Sequence, residues 1–218
     1  IIKMDDKKTI IVLLLFLIIL LAVNVTGQCY ENFTDELPFI KGTDFIFIHI
    51  PKNGGTSFCN KYLNKQVGHV KAQEYTISQL KKSVAIVRNP YSRIISCYKY
   101  FKSDNTFWTP IYGHPEHHEY CKTHTFSEFI DDIYNKSLNM DIHMTPQHVF
   151  LEKDGNIYTK TVKLENLSDD FYKILNKKIS IPVLNKSSDF RVNMTEKDKE
   201  KIYEIYKKDF LLFGYKRN

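Results

Sequence analysis

Most of the patterns that name a function at sight are missing from these 218 residues. There is no CxxC pair and no HExxH, the spacings that seat two ligands on one zinc ion. A G-x-x-x-x-G-K-[ST] loop is also absent, which removes the lysine that a nucleoside triphosphatase places after its last glycine. No internal repeat is visible, so the chain is not a solenoid. Cysteine is scarce, 4 in all, too few for a fold held mainly by disulfides. Neither charge dominates: 31 Lys and Arg stand against 25 Asp and Glu, a net charge of +6. That balance suits an acidic polymer or a nucleotide as ligand. No nucleic-acid-binding signature accompanies it, and most of the lysines solvate the surface. What is present is enough apolar side chain, 43% with 14% aromatic, for one well-buried domain.

Glycine is scarce too, 8 residues, and two of them are adjacent in the most informative stretch, Ile48-His49-Ile50-Pro51-Lys52-Asn53-Gly54-Gly55-Thr56-Ser57-Phe58. A β-prone apolar run from Phe45 to Ile48 precedes the glycines and a helical pattern follows them. Strand, Gly-Gly loop with a lysine, and helix opening on Thr and Ser make an anion cradle. The glycines admit a ligand close to the backbone, and the free N–H groups of the helix start point at it. Lys52 adds a positive charge, and Thr56 and Ser57 add hydroxyl donors. A Gly-Gly turn alone is an ordinary strand–helix connector; its lysine and hydroxyls suit this one to phosphate or sulfate.

A second segment repeats the plan. Val84-Ala85-Ile86-Val87 is a buried-strand pattern, and Arg88-Asn89-Pro90-Tyr91-Ser92-Arg93-Ile94-Ile95-Ser96-Cys97-Tyr98 follows it. Pro90 suits the first turn of a helix, where its missing N–H costs nothing. Tyr91, Ile94, Ile95 and Tyr98 then fall at core spacing, while Arg93 and Ser96 can lie near the strand end. Arg88 can fork onto a phosphate through paired, charge-assisted hydrogen bonds, and Ser96 offers a hydroxyl two turns on. Without the first segment, Arg88 would read as a surface ion-pair residue and Ser96 as helix filler.

The order Pro51-Lys52-x-Gly54-Gly55-Thr56-Ser57 resembles the 5′-phosphosulfate loop of sulfotransferases that use 3′-phosphoadenosine-5′-phosphosulfate (PAPS). The Arg88 to Ser96 segment resembles their 3′-phosphate signature. Met140-Asp141-Ile142-His143-Met144-Thr145-Pro146-Gln147 is similar to the D-x-H-x-x-P-Q segment of Golgi carbohydrate sulfotransferases of the chondroitin and HNK-1 type, sulfotransferase family 2. Val162 through Leu167 resembles their strand-to-helix junction. Leu184-Asn185-Lys186-Ser187 and Tyr206 through Tyr215 resemble their closing pattern. The resemblance implies an α/β fold, a P-loop-like parallel sheet flanked by helices. It also implies a donor site of Pro51, Lys52, Asn53, Gly54, Gly55, Thr56, Ser57, Arg88, Ser96 and Lys186 holding PAPS without a metal. The acceptor would be a hydroxyl of a glycosaminoglycan or of a glycoprotein or glycolipid glycan, acidic or neutral.

Sulfuryl transfer gathers charge on the bridging oxygen as the S–O bond breaks, so a cation there stabilises the transition state. Lys52 is placed for that role. The resemblance to uronyl 2-O-sulfotransferases around Val67-Gly68-His69-Val70 implies that His69 is the base, and an imidazole suits proton removal near neutral pH. His69 could equally be a satisfied structural histidine. His143 is the alternative base or an acceptor contact, and His49 reads as framework beneath the loop. His114, His117, His118, Cys121 and His124 have spacings that can suit zinc, but they match the acceptor loop of the family, so glycan contacts or a solvated loop are expected and no metal. Two rival functions stand beside the transferase: an inactive glycan- or PAP-binding homologue (PAP is adenosine 3′,5′-bisphosphate), and a P-loop nucleotide kinase, whose lysine and magnesium ligand are not in place.

The first segment bears on the compartment. Lys7 and Lys8 precede an uncharged apolar run from Thr9 to Val25, between a signal-peptide core and a full membrane span in length. The cationic flank favours an N-terminal tail in the cytoplasm and a lumenal remainder. The expected organisation is therefore 1–27 tail and anchor or signal peptide, 28–43 stem, and 44–218 catalytic domain; the resemblance implies the lumenal side of the Golgi membrane, with secretion after cleavage as the alternative. Sequons at Asn24, Asn32, Asn135, Asn166, Asn185 and Asn193 fit a lumenal chain. An oxidising lumen would allow disulfides, and Cys97 with Cys121 is the expected pair rather than Cys29 or Cys59. The pattern predicts strands at 44–50, 83–87 and 157–164. Helices are expected at 56–64, 76–82, 90–102, 125–135, from a Ser168 cap to 177, and from a Thr195 cap to about 208, with 103–125 irregular.

Overall fold

The apolar runs pair side by side as a parallel sheet. In the computed structural model, which describes residues 37–63, 65–103, 115–181 and 190–217, β1 (Ile46–Ile48) lies beside β2 (Ser83–Val87). Strand β2 in turn lies beside β5 (Lys160–Lys163), and both pairings are parallel. Ile48 sits opposite Ala85, and Val87 opposite Lys163. Strands β1 and β2 are buried at every position, as continuous apolar runs covered on both faces must be. Each strand feeds a helix: β1 leads to α1 (Gly55–Tyr62), β2 to α3 (Pro90–Lys102) and β5, through a 3₁₀ turn, to α7 (Leu167–Leu175). The C-terminal ends of neighbouring parallel strands therefore open on one edge, the usual ligand crevice of such sheets.

Two apolar clusters hold this frame within the compact unit Pro38–Asn218. In one, Phe58 of α1 stacks on Phe171 of α7 at 5.3 Å and meets Phe47 of β1 at 4.3 Å. In the other, α3 packs with α4 (Pro115–Thr123), α5 (Phe126–Tyr134) and α8 (Glu196–Leu212) through Ile94, Tyr98, Phe101, Phe129, Ile202 and Phe210. Each fully buried Phe contributes about 1.5–3 kcal/mol. Thr125 and Thr195 cap their helices as expected, each in a reciprocal capping box with the residue three positions on. α2 (Ile77–Lys81) starts the same way at Thr76.

Several expectations are corrected. The strand expected over 157–164 is split: β4 (Asn156–Ile157) pairs back on β3 (Glu152–Lys153), and β5 begins only at Lys160. Ser168 is not a cap, because α7 already starts at Leu167 after the turn Leu164–Asn166. The stretch 103–125 contains α4, whose buried face carries His117 and His118 with Cys121, so histidines occupy positions where apolar residues would signal a helix. The short α6 (His148–Leu151) was not expected either. The Cys97–Cys121 disulfide is overturned: both thiols are free, and Cys97 Sγ donates to the carbonyl of His143 at 2.9 Å. Burial pushes the Cys121 thiol up to about 12, which leaves it inert.

The tail and apolar run, Cys29, Asn24 and Asn32 lie outside the described residues, as do His114, Asn185 and Lys186. Among the described residues no helix is long and apolar enough to cross a membrane.

One buried carboxylate ties α8 to the chain leaving the candidate site. Asp209, fully buried, accepts from the backbone N–H groups of Gln147 (2.7 Å) and His148 (2.9 Å) and from His148 Nδ1 (2.7 Å). Asp209→Ala leaves those donors buried without their acceptor, so a loss of about 3–5 kcal/mol is expected. Urea unfolding of the variant, with an unchanged denaturant slope, measures it.

Candidate active site

The loop after β1 is shaped by what lies beneath it. His49, the residue after β1, donates through Nδ1 to the Val67 carbonyl at 2.9 Å, which turns the other edge of its ring under Gly55. A Cβ on Gly55 would stand 2.0 Å from that imidazole, so only glycine fits. Gly54 is left-handed at φ 76°, and Lys52 is held there as well at φ 65°. For a non-glycine residue that conformation is uncommon and costs of order 1 kcal/mol. The result is an α1 N-terminus at which the N–H groups of Gly55 and Thr56, and the Thr56 hydroxyl, have no acceptor among the described residues. His49 is thus the framework residue it was expected to be.

Cations surround the loop. Lys52 Nζ lies 4.0 Å from the centre of the Tyr100 ring, a cation–π contact. Burial above all, with repulsion from Arg88 and Arg93, brings its amine down to about 8, although Cys97 and Asp141 pull the other way. Arg88, at the end of β2, donates to the Lys52 carbonyl at 3.1 Å. Arg93, 2% exposed, donates through Nε to the Pro51 carbonyl at 3.1 Å and through a terminal nitrogen to the His143 carbonyl at 3.0 Å. Arg93, Ser96 and Tyr100 stand three and seven residues apart along α3, one helix face. Ser96 therefore sits between two residues that touch the loop, and its hydroxyl has no partner among the described residues.

Behind the loop is a buried amide. Gln147, fully buried, receives Asn53 Nδ2 and the Arg88 N–H on its Oε1, each at 2.8 Å, and donates Nε2 to the Arg88 carbonyl at 2.9 Å. Asn53 Nδ2 also reaches the Ile86 carbonyl at 2.7 Å. The Asn53 amide nitrogen is therefore engaged inside the protein. Glu165, in the turn after β5, accepts from the Asn89 N–H at 2.8 Å and from the Tyr215 hydroxyl at 2.9 Å. Gln147, Glu165 and Tyr215, from three of the downstream segments singled out in the sequence, thus meet at the loops of the first two strands.

Three histidines line the other side. His69 donates Nδ1 to the His49 carbonyl at 3.1 Å, and its ring is 4.3 Å from His49 and 6.1 Å from His143. Burial, with the neighbouring His49, His143 and Arg93, pushes His69 down to about 3. His143 packs against Tyr100 at 4.9 Å and bonds the carboxylate of Asp141. So Lys52, Arg88, Ser96, His69 and His143 are brought to one place. The described histidines of the 114–124 stretch do not gather into one site. His117 Nε2 donates to the Asn139 carbonyl at 2.8 Å, and His124 stacks on Tyr120 at 3.9 Å. Among the described residues no group of three or more His, Cys, Asp or Glu is placed to hold a metal. Sequence reasoning missed Arg93 as a loop anchor, Asp141 and Gln147. The i, i+3 spacing of Arg93 and Ser96 was the available signal for the first.

A family model described as "Sulfotransferase family" matches residues 39–216. The chain belongs to that family. No curated protein matches the chain, and no solved structure does.

Gly55→Ala drives a methyl into the His49 ring and should cost about 1–3 kcal/mol by overpacking. The same substitution in a His49→Ala background should cost much less, and thermal unfolding of the four proteins of this cycle reads the coupling.

Proposed function

We propose that this sulfotransferase moves the sulfuryl group of PAPS to a hydroxyl of a carbohydrate. The observation that carries the reading is the convergence of Lys52, Arg88 and Arg93 on a loop whose Gly55 and Thr56 N–H groups have no acceptor among the described residues. A phosphosulfate fits that cradle by charge and by donor count. Lys52, with the Gly54 to Ser57 backbone, would hold the 5′ end, and Arg88 with Ser96 the 3′-phosphate; Lys186 belongs to the same reading. When bound, the donor supplies an activated sulfuryl group on a phosphate leaving group. Lys52 neutralises charge developing on the oxygen between them, and Arg88 and Ser96 fix register, a positioning contribution.

A carbohydrate acceptor is supported by the D-x-H-x-x-P-Q likeness at Asp141 to Gln147 and by the histidine wall beside Lys52. Placement in the Golgi lumen is supported by the apolar run behind Lys7 and Lys8 and by sequons at Asn135, Asn166 and Asn193, all exposed.

Arg88→Ala should weaken PAP binding by about 2–5 kcal/mol, the usual loss for a desolvated charged partner, and Ser96→Ala less; calorimetric titration measures both. Unchanged affinity in a folded Arg88→Ala protein would remove the 3′-phosphate assignment. Turnover, followed as radiolabelled sulfate transferred from PAPS to a pool of desulfated glycosaminoglycans, should fall as pH rises through about 8. Lys52 is charged only below its depressed pKa, so its help is present at lower pH and lost above. Lys52→Arg should move that alkaline limb upward.

A further inference from the structure

We propose that Asp141 and His143 form the proton-accepting dyad of this site, His143 Nε2 taking the acceptor's proton and Asp141 serving as its positioning residue. The inference rests on the sulfuryl-transfer reading. Asp141, 2% exposed, receives two donors from the same residue on one oxygen: His143 Nδ1 at 2.5 Å and the His143 backbone N–H at 2.6 Å. A carboxylate only accepts, so the neutral ring carries its proton on Nδ1 and presents a bare Nε2. That nitrogen has no hydrogen-bond partner among the described residues, and the side chain is 12% exposed.

The rest of the surroundings hold the ring still. The His143 carbonyl receives Arg93 at 3.0 Å and Cys97 Sγ at 2.9 Å, and the ring lies against Tyr100 and Phe101 at 4.9 and 5.8 Å. The titratable and charged groups facing it are Asp141, His69, His49 and His118, with Tyr100, Arg93 and Cys97; Lys52 stands on the same Tyr100 ring.

His69, the base implied by the family likeness, is built differently. Its Nδ1 donates to a neutral carbonyl instead of a carboxylate, and its main electrostatic neighbours among the described residues are His49, His143 and Arg93. Its pKa, held down to about 3, makes it a poor holder of the abstracted proton. It remains a good hydrogen-bond acceptor for orienting a hydroxyl. In the step assigned to the dyad, the acceptor's O–H proton passes to His143 Nε2 and the freed electron pair makes the new O–S bond. The old S–O bond breaks with its pair left on the departing phosphate oxygen beside Lys52, and the imidazolium later returns its proton to water.

The test is a tautomer and a rate. Long-range ¹H–¹⁵N spectra of the ¹⁵N-labelled protein should show neutral His143 protonated on Nδ1, and Asp141→Asn should lose that tautomer. With radiolabelled PAPS and desulfated chondroitin and heparin, Asp141→Asn and His143→Gln should each lower turnover by about 10²–10⁴-fold while PAP affinity stays within about twofold. His69→Ala should lose less. A wild-type His143 protonated on Nε2, or full turnover in folded His143→Gln, overturns the dyad. A wild type that binds no PAP overturns the sulfuryl-transfer reading itself, and the tautomer then shows separately whether the pair exists.

Discussion

The buried amide of Gln147 is the contact on which the site depends. It grips the backbone of Arg88 on both sides and the side chain of Asn53, so one planar group sets the spacing between the loops after β1 and β2. Parallel strands bring those loops side by side, but pairing alone ends at Ile48 and Val87. Beyond that the chain needs another tie, and a fully buried amide with its hydrogen bonds made is rigid as well as costly to disturb. Asp209 holds Gln147 from behind, which carries the constraint from the sheet edge to the C-terminal helix.

Within that frame three cations are crowded together. Lys52, Arg88 and Arg93 share a desolvated space, and burial has already moved Lys52 toward losing its proton. Two of the three are held to backbone carbonyls, those of Pro51 and Lys52, which fix direction without cancelling charge. An anion on the loop N–H groups would relieve both the repulsion and the desolvation. Arg93 also joins the loop to His143, donating to both from one guanidinium.

Much of this was readable in the residues, for definite reasons. Pro90, with the apolar run before it, marked the start of α3, and Gly54-Gly55 after a buried strand marked the loop. Thr125 and Thr195 announced their helices by capping chemistry. What stayed hidden depends on packing across long separations. Gln147 carries no local sign that its amide will meet Asn53 and Arg88. Helix α4 was masked by His117 and His118, which are polar in a pattern and buried in the fold. The Cys97–Cys121 pairing failed because thiol count says nothing about direction, and Cys97 faces a carbonyl. The family likeness around Val67 to Val70 pointed to His69, and the burial of its ring is visible only in three dimensions.

The central claim is that the Lys52–Ser57 loop and the Arg88–Ser96 segment grip the two phosphate ends of one nucleotide. A crystal structure of the protein soaked with PAP tests it directly. The account predicts the 5′-phosphate against the N–H groups of Gly55 and Thr56 with Lys52 beside it, and the 3′-phosphate on Arg88 and Ser96. A nucleotide bound elsewhere, or one whose phosphates avoid both segments, would contradict it.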